Sequence, residues 1–99
     1  MLILGRKAGD AVVFGNHREG FLEVQQVSGG MVTMVINTPN GDVSFTGGRG
    51  SSVTVTGIDG CRWAKIIIVD IDGRQARVGF DLPKSVHVVR HELYSEAAK

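Results

Sequence analysis

Ala76, Val78 and Phe80 alternate with Arg77, Gly79 and Asp81; a Leu82-Pro83-Lys84-Ser85 break follows, and Val86 and Val88 resume the alternation ahead of Arg90. A period of two sets the apolar residues on one face of an extended chain, so this stretch predicts strand, turn, strand. The polar-apolar tail that starts at His91 favours a short helix, one too short to hold in isolation and therefore expected to dock Leu93 and Tyr94 on a sheet. Arg90 falls where strand gives way to helix, which places a cation more definitely than anywhere else in the chain.

The same grammar runs through the rest. Leu2-Ile3-Leu4 opens a strand that meets Gly5-Arg6-Lys7, and Ala8-Gly9-Asp10 turns the chain into Ala11-Val12-Val13-Phe14. Phe21, Leu22, Val24 and Val27 form an imperfectly alternating strand, and Ser28-Gly29-Gly30 is a turn that accepts positive φ. Val32, Met34 and Ile36 make the next strand, which stops at Asn37-Thr38-Pro39-Asn40-Gly41, and Val43 and Phe45 a short one after it. Thr46 to Ser52 has linker composition, Val53-Thr54-Val55 is extended, and Asp72-Gly73 is a hairpin signal. The β-branched run Ile66-Ile67-Ile68-Val69 predicts a strand covered on both faces.

Ninety-nine residues make one compact domain with one modest core, about 60 to 68 per cent of the unfolded surface being buried. A net charge of +1 rules out a broad positive field, so a nucleic-acid partner would be held by a few placed cations. The single cysteine, Cys61, excludes an internal disulfide and a multi-cysteine zinc site, and points to a reducing cytoplasm. No run approaches the roughly 20 apolar residues of a membrane span, and Arg6 and Lys7 interrupt any signal-peptide core, so a soluble, unexported protein is expected.

An internal repeat emerges when the halves are aligned. Val24, Val27-Ser28-Gly29 and Val32 to Pro39 line up with Ile68, Ile71-Asp72-Gly73 and Ala76 to Pro83, and Val53-Thr54-Val55 echoes Leu2-Ile3-Leu4. The expectation is two quasi-repeats, about 1–45 and 53–99, joined by the Gly-rich linker 46–52.

Met1-Leu2-Ile3-Leu4-Gly5-Arg6-Lys7-Ala8-Gly9-Asp10 resembles the opening of the carbon storage regulator family (CsrA/RsmA). Gly73 to Tyr94, with its Gln75-Ala76-Arg77-Val78-Gly79, Pro83, Val86-His87-Val88-Val89-Arg90 and Glu92-Leu93-Tyr94, is similar to that family's ending. The resemblance implies a mainly β fold: two small antiparallel or mixed sheets packed as a barrel- or sandwich-like dimer or pseudo-dimer, with one short C-terminal helix. It implies a post-transcriptional regulator, without cofactor or metal, that binds GGA-containing hairpin loops in messenger 5′ leaders, represses translation or alters message stability, and is open to capture by decoy small RNAs. Its RNA-binding site would comprise Leu4, Arg6 and Lys7 on the first strand with Val89 and Arg90 on the last. Either a monomeric pseudo-dimer or an intertwined homodimer satisfies it.

The chain departs from the family by the length of its Phe21–Trp63 region, by Gly5, and by Val89 and His91 around the arginine. On the repeat alignment, Val43 to Gly47 carries no arginine matching Arg90, and Val53 to Gly57 no basic pair matching Arg6-Lys7, so one working site is expected.

The chemistry fits: unpaired loops expose base edges that strand-edge backbone groups can read, which admits Leu4 and Val89, and an arginine forks two hydrogen bonds where lysine offers a point charge. Arg6 and Lys7 would bind phosphate; their bland alternative is protection of an edge strand. The Gly47-Gly48-Arg49-Gly50 stretch lacks a phosphate-loop ending, Trp63 reads as a core or strand-face anchor, and no nucleophile has a base beside it, so no enzyme is expected. A protein-interaction module that has lost RNA binding is the competing reading.

Overall fold

The computed structural model describes residues 1–91, so the helix expected from His91 onward, with its docking residues Leu93 and Tyr94, lies outside the described residues but for His91 itself. Among the described residues nine strands follow one another: β1 (Leu2–Lys7), β2 (Ala11–Phe14), β3 (Gly20–Ser28), β4 (Met31–Thr38), β5 (Gly41–Gly47), β6 (Ser52–Val55), β7 (Ala64–Asp72), β8 (Gln75–Asp81) and β9 (Val88–Arg90). They form two sheets, ordered β1-β8-β7-β6 and β5-β4-β3-β2-β9, and every pairing is antiparallel. The mainly β class read from the sequence is thus the architecture observed.

Glycine at the predicted turns supplies the backbone the hairpins need. Gly29 and Gly30 sit at φ 60° and 74° between β3 and β4, and Gly73 at 63° between β7 and β8. The sheets close on one cluster that takes Leu4 from β1, Val12 and Phe14 from β2, Leu22 and Val24 from β3, Met34 and Ile36 from β4, and Ile66, Ile68, Val78 and Phe80 from β7 and β8. Phe14 and Phe80 join the layers, ring centroids 5.8 Å apart and tilted by 53°, a contact worth about 0.5–1.5 kcal/mol beyond its area.

The two sheets are built alike. β3 is bulged between Val24 and Gln26, and β7 between Ile68 and Asp70. At the first bulge Gly9 N donates to Val24 O (2.7 Å) and Val24 N to Asp10 O (3.0 Å); at the second Gly50 N donates to Ile68 O (2.7 Å) and Ile68 N to Ser51 O (2.8 Å). The turn Asp10 N to Lys7 O (2.9 Å) has its counterpart in Ser51 N to Gly48 O (3.0 Å). Residues 48–51 are therefore a turn bonded to β7, not a free linker.

The register also moves the correspondence read from the sequence. Leu4 faces Val78 and Leu2 faces Phe80, while Phe45 faces Met34 and Val43 faces Ile36. β5 thus stands to β4 as β1 stands to β8, and β6 answers to β2. Val53-Thr54-Val55 is not the echo of Leu2-Ile3-Leu4; Val43-Ser44-Phe45 is. The strand expected to be covered on both faces is covered on one: Ile66 and Ile68 are buried, whereas Ile67 and Val69 are half-buried on an outer face with no second layer among the described residues.

A polar clamp joins the loops after β2 and β6. Glu19 Oε1 accepts His17 N (3.1 Å), its Oε2 faces Asp59 N (3.5 Å), and His17 Nε2 lies 3.2 Å from Asp59 Oδ2. Burial pushes the Glu19 carboxyl upward, but the backbone N–H groups of Glu19, His17 and Asp59, with the His17 charge, outweigh it and hold the group below its ordinary value. A depressed carboxyl contributes stability that is present above its unfolded value of 4.5 and is lost as pH falls through the lower folded value. Glu19→Gln is expected to lower the urea midpoint at pH 7 and to differ little from the parent at pH 3. A second expectation concerns Gly20, where an added Cβ would stand 2.5 Å from the buried Phe14 ring. Gly20→Ala should cost about 1–3 kcal/mol in the same denaturation.

Candidate nucleic-acid interface

The two ends of the chain arrive at the same strand. β1 lies at the edge of one sheet, and the turn Lys7–Asp10 carries the chain into β2 of the other. β9 then comes back along β2, pairing Arg90 with Val12, Val89 with Val13 and Val88 with Phe14. Gly15 N extends the ladder to His87 O (2.9 Å), and Asn16 Oδ1 accepts His87 N (3.3 Å). Between β1 and β9 runs a groove of about 320 Å³ lined by Met1, Leu2, Phe80, Leu82, Pro83, Lys84, Val86 and Val88.

Each residue singled out in the sequence has a definite place. Leu4 lies on the edge strand β1 with its side chain buried in the core at 8 % exposure. Lys7 is exposed at the end of β1, its backbone N–H held by Asp10 Oδ2 at 2.9 Å. Val89 is 38 % exposed and Arg90 is exposed. Arg6 differs from the expectation: it is only 5 % exposed, its Nε donating to Gly5 O (2.6 Å) and its Nη1 to Ala11 O (3.2 Å). Neither a phosphate grip in open solvent nor the protection of an edge describes it. Buried cations are tolerated only when their donors are used, and here they tie β1 to the first residue of β2. Since Arg90 pairs with the next residue, Val12, both arginines are drawn to the same end of β2.

Sequence reasoning missed Arg77. It is exposed on β8 and is the register partner of Gly5, where a side chain would run into Gln75. The alternation of residues 76–80 already pointed it outward; what was lacking was the knowledge that β1 lies alongside. Trp63 is not a core anchor: it is 60 % exposed, with the Arg62 guanidinium carbon 5.8 Å from its ring centroid.

Two edge strands, the first and the last among the described residues, thus place an exposed lysine and an exposed arginine on a small all-β protein. Residues 64–99, which hold β7, β8 and β9, match the model of the CsrA family, described as a global regulator protein family. Over those residues, about a third of the chain, it is similar to that family, and the match supports a regulator of this kind. No solved structure matches the chain.

The roles of the two basic neighbours separate experimentally. Arg6→Ala removes donors from the half-buried Gly5 carbonyl and the buried Ala11 carbonyl and should cost about 1–3 kcal/mol of folding stability. Lys7→Ala, at an exposed site, should stay within about 0.5 kcal/mol of the parent in the same urea titration.

Proposed function

We propose that the chain is a post-transcriptional regulator that binds GGA-type hairpin loops in messenger leaders and so blocks translation initiation or alters message stability. Its site comprises Leu4, Arg6 and Lys7 from β1 with Val89 and Arg90 from β9. The observation that carries this reading is that one chain brings the edges of β1 and β9 to the same end of β2, with Arg6 at Ala11 and Arg90 at Val12. Loop bases, splayed and unpaired, offer their edges to the outward backbone groups of β1 and β9 beside Leu4 and Val89, while Arg90 forks onto a guanine or a phosphate. Lys7 supplies phosphate charge, and Arg6 serves from inside by fixing β1 against β2. The family's suggestion of a dimeric assembly is met by a pseudo-dimer in which one chain provides both strands of the site.

The test is a gel-shift titration with a GGA-loop hairpin and a hairpin of scrambled loop. Arg90→Ala should weaken the GGA complex by about 1–3 kcal/mol with the circular dichroism spectrum unchanged. Lys7→Ala should reduce the log–log salt slope by about one. Equal affinity for the two hairpins, or an unaltered affinity in a folded Arg90→Ala variant, overturns the proposal in favour of an interaction module that does not bind RNA.

A further inference from the structure

β2 and β6 hold equivalent places, yet only β2 is flanked on both sides. β2 pairs with β3 and β9; β6 pairs with β7 and ends its sheet among the described residues. The side chains register the difference. Val12 on β2 is 0 % exposed, while its counterpart Val53 on β6 is only half-buried against the same core cluster. The reason lies in the turns. After Pro83 the chain continues through Val86 and His87 into β9, whereas after Pro39 it turns at Asn40-Gly41, with Gly41 at φ 124°, straight into β5. Asn40 Nδ2 donates to Thr56 Oγ1 at 2.8 Å, at the point where a strand alongside β6 would have to begin.

Sheet edges are blunted by short strands, charge, proline or bulges, and beyond its four-residue length the open edge of β6 has none of these. β1 carries the exposed Lys7, β9 carries Arg90 and β5 carries Asp42, but β6 reads Ser52-Val53-Thr54-Val55, β-branched apart from its serine and uncharged. Because Ile68 N donates to Ser51 O, the two-residue alternation of an antiparallel ladder turns Val53 and Val55 toward β7, and the N–H and C=O of Ser52 and Thr54 outward.

We propose that this edge pairs with β6 of a second copy of the chain. An antiparallel two-fold arrangement centred on Val53 lets Ser52 and Thr54 of each copy exchange N–H···O=C bonds with Thr54 and Ser52 of the other. The two Val53 side chains then meet on the core side and gain the cover that Val12 has from β9. Such an isologous contact closes on itself and does not propagate into filaments. It uses none of the residues assigned to RNA, so the pair would present two candidate sites, and the inference stands or falls without RNA.

Sedimentation equilibrium of the RNA-free chain tests it. At about 1 mM chain, an association with a Kd of about 0.2 mM puts most of the protein into pairs. The expected result is a two-chain mass for the parent and a one-chain mass for Thr54→Pro, which removes an outward donor but no β6–β7 bond. Thr54→Lys, at the same exposed position, should also give one-chain mass and guards against a folding failure of the proline variant. In the parent, amide exchange at Thr54 should slow with rising concentration. A one-chain mass for the parent at that concentration, or a two-chain mass that survives both substitutions, overturns the proposal. So does a Thr54 amide protected in a one-chain species, which would mean that the chain covers this edge itself.

Discussion

The pairing of β1 with β8 is the contact on which the rest of the molecule depends. It joins the first strand of the chain to one that ends at Asp81, in unbroken register from Leu2 opposite Phe80 to Lys7 opposite Gln75. Closing so long a loop costs only slowly growing entropy, but contacts this non-local make for slow folding. What they secure is the placement of Leu4 in the core and of Arg6 against Ala11. β9 makes the reciprocal crossing, from the C-terminal half into the sheet of β2 to β5. Each half thus lends an end strand to the other's sheet, and neither has a complete layer alone.

Most of the strands were legible because a half-buried strand declares itself by alternation, and because glycines mark turns that other residues resist. The reciprocal crossing was legible only through resemblance, since no local pattern says which distant strand pairs with which. The misreadings share one cause. Val53-Thr54-Val55 looks like Leu2-Ile3-Leu4 by residue type, but what identifies a strand is the partner it faces, and the register gives that place to Val43 and Phe45. Trp63 and the outward pair Ile67 and Val69 are apolar yet face solvent, because the molecule has two layers and no third among the described residues. Arg6 reads as an open cation beside Lys7, yet the pleat turns one of these neighbours inward and the other out.

The asymmetry between the halves bears on how many sites the chain offers. The position of β5 that answers to Arg6 is Gly47, and the one that answers to Lys7 is Gly48. Gly47 is buried, and a Cβ there would stand 2.7 Å from Ser51 Cβ and 2.9 Å from the Phe45 ring, so no arginine fits without moving Ser51 and the half-buried Phe45. On the same side of the molecule, the turn at Asn40-Gly41 leaves out the strand that would correspond to β9. A basic pair is of use to such a site only if a second strand brings an arginine to meet it. Where that strand is missing, an inward cation would carry only its desolvation cost, and small residues that let the turn pack against β7 are the more stable choice. The absent strand and the absent charge therefore go together, which fits the single site proposed at β1 and β9.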